Sequence, residues 1–305
     1  MKPNCLLSFL YGVVVFTLSM MALADTRAEA GVPVCTGDCV LSPKYEMMRE
    51  MMAQYGVKKQ EVKIFGTDDR RVLIDPVDYQ STPFIECGGV FRGSGIVVHR
   101  AKGIVLTAAH NAFDFRAPKA EQVSQLKTRC RVDFRNPDGS VARSFFVKDF
   151  ELGHYFEGRA ETLNSGDWLV LQLTSPLPAS VKPTLLKANF SDLAGRDAFN
   201  IAYQTSMQKD IKLLFSVGTI RANTGGRYLN FDPDFILHDI DTDGLASGSG
   251  IYTVIDGRPH IVGLHIGAKG SHGEEFDEGS SFNAAVRIQG AMRRALERFL
   301  GQPDL

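Results

Sequence analysis

Apolar residues along this chain fall into short runs broken by turn-forming residues, and only near the end do they take up a helical spacing. The runs are "GIVVH" (95–99), "GIVLTAA" (103–109), "CRVDF" (130–134), "SFFVKDF" (144–150), "WLVLQL" (168–173), "LLFSVGTI" (213–220), "GIYTVI" (250–255) and "HIVGLHIG" (260–267). Runs of this length, rich in β-branched and aromatic residues, predict strands. Asp138-Gly139 and Asp256-Gly257 supply the tight-hairpin dipeptide, because both central positions of such a turn need positive φ. Many short strands with turns between them mean a sandwich or a barrel. The segment "VRIQGAMRRALERFL" (286–300) changes period and predicts a C-terminal helix capping the fold. No internal repeat and no low-complexity stretch interrupts the pattern.

The first 63 residues read differently. Lys2, the apolar stretch from Leu6 and the Ala22-Leu23-Ala24 end form the three parts of an export signal over residues 1–24. The apolar run also approaches the length of a membrane span, so a retained N-terminal anchor is the rival reading. Ser8, Gly12, Thr17 and Ser19 weaken that rival, and with the signal cleaved no membrane attachment is expected. Residues 25–63 look like an extension or propeptide. There Ser42 and Pro43 suit a helix start, "KYEMMREMMAQY" continues it and Gly56 can end it.

Export permits disulfides. Cys5 would leave with the signal, and Cys35, Cys39, Cys87 and Cys130 allow three full pairings. We expect Cys35–Cys39 as a local loop and Cys87–Cys130 as a bridge within one lobe. A C-x3-C without a matching His/Cys pair is a poor zinc site, so no metal is expected.

Composition narrows the function further. The 305 residues are 44% hydrophobic, enough for a large core, and 29 glycines fit a fold of many tight turns. The formal net charge is −1 and there is no Lys/Arg run, which argues against a nucleic-acid partner or an anionic surface.

Three segments carry chemistry. In "GIVLTAAH", small residues let the chain turn sharply after a strand and present His110. In "NSGDWLVLQL", Asp167 directly precedes a strand and could sit at the base of a cleft. In "LASGSGIY", Gly244, Gly248 and Gly250 let the backbone turn around a small nucleophile, Ser247 or Ser249. The order His, Asp, Ser, with gaps of 57 and 80 residues, is the triad order of the double β-barrel serine peptidases. A lipase-type nucleophile elbow would need a helix after the serine and the histidine last, and neither holds here.

"GIVLTAAH", "GDWLVLQL" and "SGSGIY…HIVGLHIGA" resemble the trypsin-like (chymotrypsin-fold) serine peptidases. "GTDDRRVLID" with "STPF", and "SFNAAVRI" near the end, resemble the bacterial glutamyl-endopeptidase (V8-like) branch. The resemblance spans residues 64 to 300. It implies an all-β fold of two six-stranded antiparallel β-barrels with a C-terminal helix: barrel 1 over about 64–180, barrel 2 over about 181–286, and the helix over about 287–300.

The resemblance also implies roles. Ser247 Oγ attacks a carbonyl, His110 shuttles its proton, and Asp167 orients His110. The backbone N–H groups of Leu245 and Ser247 form the oxyanion hole. Register selects Ser247 over Ser249, which would start the following strand too soon. Asp241 stands where trypsin carries its pocket aspartate, favouring Lys or Arg substrates. Thr242 and His265 match the pair that binds a Glu carboxylate. Both cannot face the pocket, and the reading taken is a preference for acidic P1 residues.

The chain departs from the pattern at three places. Leu245 stands where glycine is usual, although bulky residues dislike the backbone conformation required. Ala246 replaces the Asp that pairs with the new amine after zymogen cleavage, so a cut at Lys63–Ile64 could not switch the site that way. Asn111 replaces the Cys that usually follows the histidine. The expectation is an exported peptidase, periplasmic or secreted, acting as a monomer on peptide or protein substrates with no cofactor. The alternative is a catalytically impaired module of the same fold that binds a peptide or protein partner.

Overall fold

The computed structural model describes residues 58–59 and 70–301, apart from 115–117, 158–162, 187–192, 206–209, 223–232, 270–275 and 278–280. The predicted export signal, the predicted helix after Ser42, Cys35, Cys39 and the Lys63–Ile64 bond lie outside the described residues.

Strands β3 (Phe84–Cys87), β4 (Phe91–His99), β5 (Ile104–Thr107), β6 (Cys130–Arg135), β7 (Val141–Leu152) and β8 (Leu169–Leu173) form a closed antiparallel barrel in the order β3-β4-β5-β8-β7-β6. A second barrel follows from β10 (Asp197–Thr205), β11 (Ile211–Arg221), β12 (Phe235–His238), β13 (Gly250–Ile255), β14 (Arg258–Lys269) and β15 (Phe282–Arg287). Its order is β11-β10-β13-β14-β15-β12, and the β11–β12 pairing closes it. Three short strands attach to it. β1 (Lys58–Lys59) pairs with β2 (Arg71–Val72), β2 pairs with β11, and β9 (Leu185–Leu186) runs parallel to β14.

The continuous apolar runs have a physical cause. On β4, β5 and β8, Val97, Val105, Leu169 and Leu171 point into the barrel 1 core. Ile96, Val98, Ile104, Leu106 and Val170 on the same strands enter a second cluster with Leu264, Phe282 and Val286 of barrel 2. Strands buried on both faces lose their alternation. β7 has most of one face in solvent and is more mixed in character.

Each predicted run contains or lies in a strand, although β5 ends at Thr107, before Ala108 and Ala109, and β8 starts after Trp168; both Asp-Gly pairs make hairpins. Gly139 has φ +88°, and Asp256 and Gly257 have φ +51° and +71°. The pattern passed over β3, β10 and β12, and also three helical pieces: α1 (Pro76–Ser81), a 3-10 turn at Ala109–Asn111, and α2 (Lys119–Arg129). On α2 only Gln122 and Leu126 are buried, too thin a stripe for periodicity to register.

The C-terminal helix α3 runs over Gly290–Leu300, starting three residues later than expected because β15 continues to Arg287. It buries Met292, Ala295, Leu296 and Leu300 in the cluster shared by the two barrels. Gly301, at φ +62°, ends it in the left-handed conformation common after a helix. Lys102 Nζ donates to the Leu300 carbonyl at 2.5 Å, tying this helix to barrel 1. Cys87 and Cys130 stand opposite each other on β3 and β6 and form the expected disulfide. It closes a 43-residue separation, which limits the unfolded chain by up to about 4 kcal/mol.

Candidate active site

β5 delivers His110. Ala108 and Ala109 after it are fully buried and belong to different core clusters, so the turn that follows is anchored in both. The 3-10 turn then presents His110 with about a third of its side chain exposed. Asp167 arrives from the start of β8. Behind it, Gly153 and Gly166 bring two backbone segments together. A Cβ on Gly153 would lie 2.2 Å from the Gly166 carbonyl.

The two residues meet directly. Asp167 Oδ2 lies 2.6 Å from His110 Nδ1, and Asp167 Oδ1 accepts from the His110 backbone N–H at 3.0 Å. A carboxylate acceptor fixes the proton on Nδ1 and leaves the lone pair on Nε2. Burial pushes the His110 pKa down, but the charge and hydrogen bond of Asp167 outweigh it and the net direction is upward.

The backbone of Ser247 is tied to the strand and turn beside this pair. Its carbonyl accepts from the Ser94 N–H at 2.9 Å and from Asn111 Nδ2 at 2.7 Å. Asn111 adjoins His110, so the residue that replaces the usual Cys ties the serine loop to the histidine turn. It also donates to Thr107 Oγ1 at 3.0 Å. A Cβ on Gly93 would lie 2.2 Å from the Asn111 side chain, and one on Gly248 would lie 2.2 Å from the Ser94 carbonyl. Gly248 is therefore required for close approach as well as for its φ of +87°. Sequence reasoning missed Ser94, Gly93 and the role of Asn111. The signal available was "RGSG" (92–95), at the start of β4, the strand that pairs with the one leading to the histidine.

Ser249 is fully buried and its hydroxyl is engaged on both sides. It donates to the Ala246 carbonyl at 2.6 Å and accepts from Asn200 Nδ2 at 2.7 Å. Leu245 takes φ +77°, the conformation a glycine would adopt there. That costs a bulky residue on the order of 1–2 kcal/mol. Its side chain packs against the cluster of Phe199, Tyr203 and Phe215, and its carbonyl accepts from Ser94 Oγ at 2.9 Å.

Asp241, Thr242 and His265 are all buried. Backbone pairing joins His265 to the serine loop, with its carbonyl accepting from the Gly248 N–H at 2.7 Å. His265 Nδ1 meets His238 Nε2 at 3.2 Å, a contact the sequence reading did not foresee because His238 lies on the overlooked strand β12. Burial holds both imidazoles neutral: it pushes His238 down to about 3 and His265 well below its usual value, and the cost of placing a second positive charge beside His238 or His110 lowers His265 further. Ala246 is fully buried and carries no charge toward the loop. A cavity of about 330 Å³ lies elsewhere, lined by residues that include Asp78, Lys182, Tyr252 and Arg258.

The arrangement, two closed six-stranded barrels with a C-terminal helix, is similar to the folds of solved protease structures. A Glu endopeptidase aligns with a TM-score of 0.59 at 16% identity, covering 78% of this chain and 100% of that one. The chain has the trypsin-like double-barrel fold. A scabies mite inactivated protease paralogue aligns with a TM-score of 0.55 at 18% identity, covering 74% of this chain and 97% of that one. No protein-family model and no curated protein sequence matches the chain.

Proposed function

We propose that the protein is an exported serine endopeptidase that cleaves peptide bonds through an acyl-enzyme. The observation that carries this reading is the Asp167 carboxylate, which engages both the ring and the backbone N–H of His110. Ser247 Oγ attacks the scissile carbonyl, and His110 Nε2 takes its proton. His110 then protonates the leaving amine while Asp167 stabilises the imidazolium. The N–H groups of Leu245 and Ser247 receive the oxyanion, and losing one such donor costs about 3 kcal/mol in barrier. Water then repeats the sequence to release the acyl group.

We assign the S1 pocket to Thr242 and His265, with acidic P1 residues preferred. The buried His265–His238 pair supports this: neutral rings can donate to a carboxylate, and its charge would favour their protonation. A Glu endopeptidase is also among the structures this fold resembles. The apolar leader, and a disulfide between Cys87 and Cys130, support export to the periplasm or beyond.

P1 profiling on a peptide library tests the reading, with wild type beside Ser247→Ala. Wild type should cleave after Glu or Asp at least ~10-fold faster than after Lys or Arg, and Ser247→Ala should cleave nothing. A folded wild type that cleaves no peptide would overturn the peptidase in favour of a binding module. A preference for Lys or Arg would return the pocket to Asp241.

A further inference from the structure

Arg70 immediately precedes β2 and is only 2% exposed. A guanidinium this deep needs partners, because an unpaired buried charge is strongly destabilising. Its Nη1 donates to Gln204 Oε1 at 2.8 Å and lies 3.9 Å from Asp243 Oδ2. The same Gln204 oxygen accepts from the Asp243 backbone N–H at 2.8 Å. Gln204 is wholly buried on β10, so one amide oxygen joins an interior cation to the turn that carries Leu245 and Ser247.

Asp243 sets that turn. Its carbonyl accepts from the Ala246 N–H at 3.0 Å, and its carboxylate accepts from the Gly244 N–H at 2.7 Å. Leu245 follows in a conformation that leucine disfavours, so the turn must be held from outside itself. Ser94 Oγ holds it at the Leu245 carbonyl, and the Arg70–Gln204–Asp243 set holds it at its start. Ala246, just before Ser247, has no charge to offer, so the ionic contact to the turn is made at Asp243 instead.

We propose that Arg70 is a positioning residue for the serine loop: a cation built into the chain that fixes the 243–247 turn, so that the turn needs no newly freed α-amine to set it. The inference rests on the peptidase reading of Ser247. Asp243 is about a third exposed, so its ion pair with Arg70 is partly screened. The bond to fully buried Gln204 is the drier and stronger contact.

The test measures the rate at which a fluorophosphonate labels Ser247 in the full chain, in wild type, Arg70→Met, Asp243→Asn and the double variant, with thermal melts to show that each is folded. Arg70→Met keeps an apolar stem and removes the cation. Asp243→Asn changes a partly exposed side chain and keeps the N–H bonded to Gln204, so it serves even if Arg70→Met does not fold. Each single variant should label at least ~10-fold more slowly. The double variant should be no slower than the slower single, because both remove one contact network. With a peptide substrate the loss should fall on kcat, and KM should stay within about twofold. Lys63→Gln, which blocks a trypsin-type cut, should label at the wild-type rate.

Folded Arg70→Met and Asp243→Asn proteins that label as fast as wild type would overturn the role of Arg70. So would additive losses in the double variant, a loss confined to KM, or an intact Lys63→Gln chain that labels ~10-fold more slowly. Each of these leaves the peptidase reading standing, whereas a wild type that does not label removes that reading.

Discussion

His110 and Asp167 meet through their side chains, whereas Ser247 is held through main-chain groups. The first half of the site is a 2.6 Å contact between a ring and a carboxylate, delivered by two strands buried on both faces. The second half is a turn at φ +77°, pinned by Ser94, Asn111, Gln204 and Arg70, residues far away in sequence. The difference teaches where each kind of information lies. Side-chain chemistry is written in the residue that performs it. Backbone geometry is written in whatever surrounds it.

The largest expected effect is on the side-chain half. Asp167→Asn should lower kcat about 10⁴-fold with little change in KM, because the imidazole then favours the wrong tautomer. The pH profile should move with it. Catalysis needs neutral His110, and Asp167 raises the His110 pKa, so the acid limb of wild-type kcat/KM should lie above the ordinary value of 6.5. In Asp167→Asn the limb should fall. The linked stability has the matching sign. The pair stabilises the fold fully below the unfolded-state pKa, and that contribution fades as pH rises through the folded-state value. An unchanged limb in the variant would mean that the contact does not govern the histidine.

The backbone half is tested by Gly248→Ala. The added methyl would lie 2.2 Å from the Ser94 carbonyl and 2.4 Å from Thr107 Oγ1, at a φ of +87°. A loss of roughly 3 kcal/mol in denaturant unfolding is expected, with labelling of Ser247 strongly reduced. A variant as stable as wild type would show that the loop does not approach β4 this closely.

The smallest effect separates conformation from side chain. Leu245→Gly relieves the positive φ but loses half-buried packing, so stability should stay within about 1 kcal/mol and activity should persist. Leu245→Val, β-branched at the same φ, should lose at least ~10-fold in kcat. Equal activity in the two would mean that the backbone of residue 245 does not set the oxyanion site.

The same contrast explains how much was legible in the sequence. "GIVLTAAH" and "GDWLVLQL" announced both the strands and the residues at their ends, because burial on two faces makes continuous apolar runs. β10 went unseen because "DAFNIAYQT" places Asn200 and Gln204 in the interior, where a polar residue reads as surface. Those two are the groups that hold Ser249 and Asp243. β12 hid His238 in a run of only four residues. Leu245 and Asn111 stood out as departures from the resemblance, but only the structure gives them their work.

Intact-protein mass spectrometry with peptide mapping after fluorophosphonate treatment tests the central claim most directly. The account predicts a single adduct on Ser247 in wild type, absent in Ser247→Ala and slowed in Asp167→Asn. A folded wild type that carries no adduct, or one that carries it on Ser249, would contradict it.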